Sequence, residues 1–261
     1  LSCLFAFFVP LRSKFSSMRL FHFISKHTYL TFIVFIISLI APAKMFAQTD
    51  TIKMMQYNLM YYTENSGVSD CNSSTNNLNT KDAALRTILQ YVQPDVLAVC
   101  EMGSNITYVN RLMDSDLNIN GIDYYQHCPL TNYSGGYIAN MMYYDSRKLS
   151  FYKSFYITTS YRDINGYRMY FNTPGLANGD TIFMTFWITH LKAGTSEDNE
   201  ASRLHEVQRL MNRLITESPG NCTFSGDFNL YGAEEPAYQE LIDYSNSLYR
   251  FYDPINQEGH W

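Results

Sequence analysis

Residues 94–101 read Pro-Asp-Val-Leu-Ala-Val-Cys-Glu, an unbroken apolar run closed by a carboxylate. Just before it, Ala84, Leu85, Ile88, Leu89 and Val92 recur at helical spacing over 81–93. Pro94 ends that helix, because its ring removes a donor and clashes with the preceding turn. A short run without polar alternation is a strand buried on both faces. A Glu at the end of such a strand is costly unless a partner or a cation meets it.

The same plan recurs outward from this stretch. The strand expected over 51–58 ends at Asn58, the strand over 181–190 ends at His190, and the strand over 221–227 ends at Asp227 with Asn229 two places on. Aromatic strands are predicted over 137–144 and 148–159. Asp163-Ile164-Asn165-Gly166 reads as a turn that folds 167–172 back as a hairpin. Ser104 is the expected cap of a helix carrying Ile106, Val109 and Leu112. Leu204, Val207, Leu210, Met211 and Leu214 mark a helix over 200–215, and another is expected over 235–244. The Asn/Ser/Thr cluster over 65–80 reads as a long loop. Strands dominate, several neighbours pair antiparallel, and helices interrupt them. That pattern predicts an α/β (α+β) fold of two packed sheets with helices outside, and excludes a regular βαβ barrel.

Composition bounds the rest. The chain has 261 residues, 46% hydrophobic and 16% charged, which excludes a disordered chain. A net charge of −5 argues against gripping nucleic acid by bulk charge. The charge is uneven: residues 1–47 hold Arg12, Lys14, Arg19, Lys26 and Lys44 and no acid, so the body is more acidic than the average. Met18 opens a basic stretch followed by an apolar run over 29–41, shorter than the roughly 18–20 residues that span a bilayer. Residues 18–47 therefore read as a signal peptide cut after Ala47, with Ala41-Pro42-Ala43 as the competing site and an uncleaved anchor as the alternative. Residues 1–17 precede the expected start, and 48–261 form the domain proper. The expectation is an exported protein (secreted, periplasmic or at the cell surface) with no stable membrane span. Cys71, Cys100, Cys128 and Cys222 permit two disulfides but match no disulfide scaffold or zinc ribbon, and Cys100 reads as a small buried hydrophobe.

Taken singly, Asn58 and Asp227 are ordinary turn initiators, Glu101 a helix cap and His190 a core histidine. Four polar ends on four apolar strands point instead to a shared crevice able to hold metal or phosphate.

At these residues the chain resembles the endonuclease/exonuclease/phosphatase superfamily, whose fold is deoxyribonuclease I-like. The matching segments, in the family's order, are Gln56-Tyr57-Asn58, Pro94 to Glu101, Ile188-Thr189-His190-Leu191-Lys192, and Ser225-Gly226-Asp227-Phe228-Asn229. The resemblance implies a four-layer sandwich, two mixed β-sheets packed face to face with helices outside. It implies that Glu101 binds the catalytic divalent metal, Mg²⁺ with Mn²⁺ or Ca²⁺ as alternatives, with Asn58 beside it. Asp227 would orient or deprotonate the attacking water, and Asn229 and His190 would contact phosphate oxygens. Lys192 and Arg203 are further candidates for the substrate path.

Two departures stand out. Cys100 replaces the Gln that the family usually has before its metal-binding Glu, and no Asp-His pair follows Asp227. The resemblance therefore implies an incomplete carboxyl end with the closing strands missing and weak turnover. His260, with no carboxylate beside it, is a poor candidate for the missing base.

The function expected is a monomeric, metal-dependent phosphodiesterase, endonuclease-like, acting on a phosphodiester such as nucleic acid. A sphingomyelinase- or phosphatase-like member of the superfamily is the alternative. A metal-free hydrolase using Glu101 and Asp227 as an acid/base pair, and a catalytically inactive fragment, are the other classes.

Overall fold

The computed structural model describes residues 51–64, 76–217, 220–255 and 259. The expected signal peptide, Cys71 and His260 lie outside the described residues.

Among the described residues, eight strands form two four-stranded sheets. The first holds β1 (Met54–Tyr62), β2 (Val96–Gly103), β3 (Tyr125–His127) and β4 (Ile138–Asp145), in the order β1-β2-β4-β3. The second holds β5 (Leu149–Ile157), β6 (Ile164–Phe171), β7 (Phe183–His190) and β8 (Cys222–Asp227), in that order. Both sheets are mixed: β1–β2 and β7–β8 run parallel, and every other pair is antiparallel. The sheets pack through β1 and β2 against β7 and β8.

Helices α1 (Leu78–Val92) and α2 (Ile106–Leu112) bury Leu85, Leu89, Val109 and Leu112 with the first sheet. Helices α3 (Glu197–Glu217) and α4 (Pro236–Ile242) bury Val207, Leu210, Met211, Leu214, Ala237 and Leu241 on the second. In β7 the period of two is visible in the core itself. Phe186 and Ile188 join the core shared with the first sheet, while Trp187 between them joins the one under α3 and α4. This is the α/β four-layer sandwich that the resemblance implies.

Three local readings are corrected. The cap of α2 is Asn105, whose side chain accepts from Thr107 N–H at 2.9 Å, while the Ser104 hydroxyl donates to the Gly136 carbonyl. Residues 78–80 begin α1 behind Asn77 instead of ending the loop. Ile164, Asn165 and Gly166 form no turn; they are buried inside β6. Gly166 is needed there because a Cβ would sit 2.6 Å from the Trp187 ring, which lies across it. The connection between β5 and β6 is 158–163, and at its end the Asp163 carboxylate accepts from Tyr133 N–H, Ser134 N–H and the Ser134 hydroxyl. The three cysteines described, Cys100, Cys128 and Cys222, are free thiols.

A polar cluster lies under α1. The Tyr62 hydroxyl donates to Asp82 Oδ1 at 2.5 Å, and Arg111 pairs with Asp82 Oδ2 at 2.6 Å. Beside them Asp116, on a wide π-type turn (Met113–Leu117) that continues α2, receives only a 3.4 Å contact from Arg86, and its Oδ2 is buried without a partner. Burial, then the Asp82 charge, pushes Asp116 up to about 7 from the usual carboxylate range. Between about pH 4 and 7 the folded chain thus holds a proton that the unfolded chain has released. This contribution is complete at low pH and lost as pH rises through 7. Asp116→Asn should therefore raise stability at pH 8, by roughly 4 kcal/mol at most on a scale of about 1.4 kcal/mol per pK unit, and leave it unchanged at pH 4. Urea titrations at the two pH values measure this; an equal effect at both would refute the buried charge as the cause.

Candidate active site

Parallel pairing explains why the four polar residues meet, although β1 and β2 run on past Asn58 and Glu101 to Tyr62 and Gly103, so that only His190 and Asp227 end their strands. In β1–β2 it places Asn58 opposite Cys100, one residue before Glu101, and in β7–β8 it places His190 directly beside Asp227. Packing the two sheets through these strands brings both pairs to one end of the sandwich. The ligand atoms of Glu101, His190 and Asp227 all lie within 4.8 Å of one another.

Asn58 joins the two sheets. Its Nδ2 donates to Glu101 Oε1 at 3.0 Å and to Asp227 Oδ2 at 2.9 Å, while its Oδ1 accepts from Met60 N–H. Asn58 therefore meets the carboxylates with its amide nitrogen, and its oxygen is turned to the backbone. Glu101 sits where the register of β2 with β4 slips, at φ +59°, a left-handed conformation that a non-glycine residue adopts only when its surroundings enforce it. Its Oε2 accepts from Tyr61 N–H at 3.0 Å.

His190 lies between the carboxylates, with Nδ1 3.8 Å from Glu101 Oε1 and Nε2 3.8 Å from Asp227 Oδ2. It is buried, and Nδ1 has no hydrogen-bond partner. Burial, then the nearby Arg162 charge, pushes the imidazole down to about 4 against the pull of Asp227, so it is neutral at neutral pH.

Asn229, also left-handed at φ +49°, donates its backbone N–H to Asp227 Oδ1 and its Nδ2 to the Leu191 carbonyl at 3.0 Å. In this arrangement it braces the loop after β7. Asp227 and Asn229 open onto a groove of about 1340 Å³ that runs along β8 past Phe224, Phe228, Leu241 and Phe251.

Cys100, where a Gln was expected by resemblance, still makes polar contacts. Its thiol donates to the Thr189 carbonyl of β7 at 3.0 Å and accepts from Gln56 Nε2 at 3.3 Å. Burial pushes this thiol up to about 12, so it stays protonated and acts as a tie between the sheets.

Arg203 is corrected. It is fully buried, pairing with Glu235 at 2.7 Å and donating to the Lys192 and Gly194 carbonyls. A guanidinium so enclosed supports the loop from below and presents no donor to a substrate. Lys192 is half-buried at the site's edge, with Nζ on the Ala193 carbonyl and 5.2 Å from the centre of the Tyr161 ring. The sequence reading missed Arg162, which donates to the His190 and Leu191 carbonyls, both at 3.0 Å. It lies in a loop whose proximity to His190 arises only through the pairing of β6 with β7, and no local signal marks it.

The donor set fits a hard divalent cation. Two carboxylates converge on one amide, and the described ion pairs give neither of them a Lys or Arg partner. Two carboxylates without such a partner among the described residues are an arrangement that favours a metal.

The fold is a four-layer α/β sandwich that gathers Asn58, Glu101, His190 and Asp227 at one point. No protein-family model matches the sequence, and no curated protein matches it. Among solved structures the chain is similar to the human Nocturnin catalytic domain with bound sulfate, at 18% identity over 76% of this chain and 70% of that one, with a TM-score of 0.54. It is similar to an endonuclease/exonuclease/phosphatase family protein from Bacteroides thetaiotaomicron, at 11% identity over 75% and 69%, TM-score 0.54. It is also similar to ANGEL2, a 2′,3′-cyclic phosphatase bound to adenosine-2′,3′-vanadate, at 13% identity over 74% and 57%, TM-score 0.54. At these identities the likeness is one of fold, and the chain spans 57% to 70% of its neighbours' lengths. The fold is the one that the sequence motifs imply.

Proposed function

We propose that this chain is an exported, monomeric, divalent-metal-dependent phosphoesterase that hydrolyses phosphodiesters. The observation that carries the reading is the meeting of Glu101 and Asp227, from different sheets, on the single amide of Asn58. Fold likeness to phosphoester-acting proteins supports it, as do residues 18–47 for export. No helix among the described residues is long and apolar enough to cross a membrane.

Glu101 and Asp227 would hold the cation, Mg²⁺ first and Mn²⁺ or Ca²⁺ as alternatives. When bound, such an ion polarises phosphoryl oxygens as a Lewis acid. Asp227, whose side chain is 34% exposed against 12% for Glu101, is the carboxylate open enough to accept the proton of an attacking water. The neutral His190 has one N–H to donate to a phosphoryl oxygen, and such a preorganised donor stabilises the charge that develops there. Asn58 fixes the spacing of the two carboxylates, and Lys192 offers a cation at the rim.

Excess chelator should abolish hydrolysis of a chromogenic phosphodiester, and added Mg²⁺ should restore it. Undiminished turnover in chelator would make this a metal-free hydrolase. A phosphatase reading has support of its own in the fold likeness to ANGEL2, a 2′,3′-cyclic phosphatase. Rates on a diester, its monoester and a short oligonucleotide, compared in the same assay, separate the two.

A further inference from the structure

Lys81 stands where helix electrostatics disfavour it. Helix α1 begins at Leu78, and its first turn carries no acidic residue. A cation so near a helix start meets the positive end of the dipole. Sequences keep such local conflicts where something else compensates them.

The compensation here is a set of backbone carbonyls. The Lys81 ammonium donates to the carbonyls of Leu59 at 2.9 Å, of Met60, and of Tyr61 at 3.3 Å. These three residues belong to the irregular end of β1. Met60 and Tyr61 are left-handed at φ +49° and +60°, and the pairing of β1 with β2 slips between Asn58 and Tyr62. Three successive carbonyls gathered at one point repel one another unless a positive group neutralises them. Asn76 adds a second restraint by donating to the Tyr61 and Thr63 carbonyls.

The amides of the same segment serve the site. Tyr61 N–H donates to Glu101 Oε2 at 3.0 Å, and Met60 N–H donates to Asn58 Oδ1 at 2.8 Å. Those two bonds fix the outer oxygen of Glu101 and orient the Asn58 amide that faces both carboxylates.

We infer that Lys81 is a positioning residue of the metal site: by holding the Leu59, Met60 and Tyr61 carbonyls it aims the Met60 and Tyr61 amides at Asn58 and Glu101. The inference rests on the assignment of Glu101 as a metal ligand under the proposed function. In these contacts Lys81 touches neither carboxylate and acts through the backbone between them.

The test uses the full chain and Mn²⁺ alone, titrated calorimetrically without substrate. Lys81→Met should bind Mn²⁺ about 10-fold more weakly or worse, the usual scale for removing support behind a ligand. Lys81→Arg, which keeps charge and donors, should recover most of that loss. Turnover by Lys81→Met should need a correspondingly higher Mg²⁺ concentration and approach the wild-type kcat at saturation, a split that general destabilisation does not produce. Wild-type Mn²⁺ affinity in folded Lys81→Met overturns the inference. Should that variant not fold, the wild-type chain supplies the readout. On Mg²⁺ titration the ¹⁵N resonances of the Lys81 ammonium and the Tyr61 amide should shift with one midpoint, and a Tyr61 response without Lys81 overturns the inference. Glu101→Gln, run in parallel, should lose Mn²⁺ binding. If it binds as the wild type does, the metal-site reading itself is wrong.

Discussion

Glu101→Gln lowers phosphodiester turnover by about 10³-fold or more, roughly 4 kcal/mol of transition-state stabilisation, while leaving the fold intact. The substitution is nearly isosteric and keeps an oxygen for Tyr61 N–H, so the left-handed bend of β2 has no reason to relax. What it removes is one of two negative charges gathered on the Asn58 amide. In metal-free buffer the same variant should be more stable than the wild type, by about 1 kcal/mol, because two carboxylates held close without a cation repel each other. With Mg²⁺ the order reverses, since an ion that binds only the folded chain stabilises it by mass action. Thermal scans with and without Mg²⁺, run beside a diesterase assay, measure all three effects. Turnover within about threefold of wild type would remove Glu101 from the chemistry.

Gly226→Ala is expected to be the most damaging single-methyl change near the site. Gly226 pairs with Thr189 at φ +149°, and a Cβ there would lie 1.9 Å from the Thr189 carbonyl oxygen. That oxygen is backbone and also accepts the Cys100 thiol, so the clash is relieved only by moving β7 from β8 or from β2. The expected loss is about 3 kcal/mol, combining overpacking with a backbone conformation that disfavours a side chain. For a domain of this size that corresponds to a Tm lower by roughly 6–12 °C. Turnover should fall too, because Asp227 follows directly and faces His190. A Tm within about 2 °C of wild type would mean that β7 and β8 separate at little cost.

The two substitutions probe different parts of the design. Glu101 is held by other residues for its charge, and Gly226 allows the close approach that places Asp227. Neither effect comes from hydrophobic burial.

Much of this was legible in the sequence. The unbroken run of 95–101 and the spacing of Leu204, Val207, Leu210, Met211 and Leu214 specify a buried strand and an amphipathic helix, because a strand repeats every two residues and a helix every 3.6. The polar residues Asn58, Glu101, His190 and Asp227 are equally local, since a carboxylate or imidazole set in an apolar strand has few roles. Asn165-Gly166 was misread because turn propensity depends on exposure, and here the glycine's missing side chain is filled by Trp187 from a neighbouring strand. Arg203 was misread because charge suggests a surface, whereas Glu235 and two carbonyls offset its burial.

The sequence by itself thus determined most of the strands and helices and the four polar residues of the site, as these follow from periodicity and from the cost of burying a charge. The short β3 gave no such signal, and β1 and β2 run on past Asn58 and Glu101. Only the tertiary structure decided that Asn58 bridges the sheets, that Arg162 braces His190, and that Lys81 holds the backbone behind Glu101. Each of those contacts joins segments far apart in the chain, and their distances are set by how two sheets pack, which no local pattern encodes.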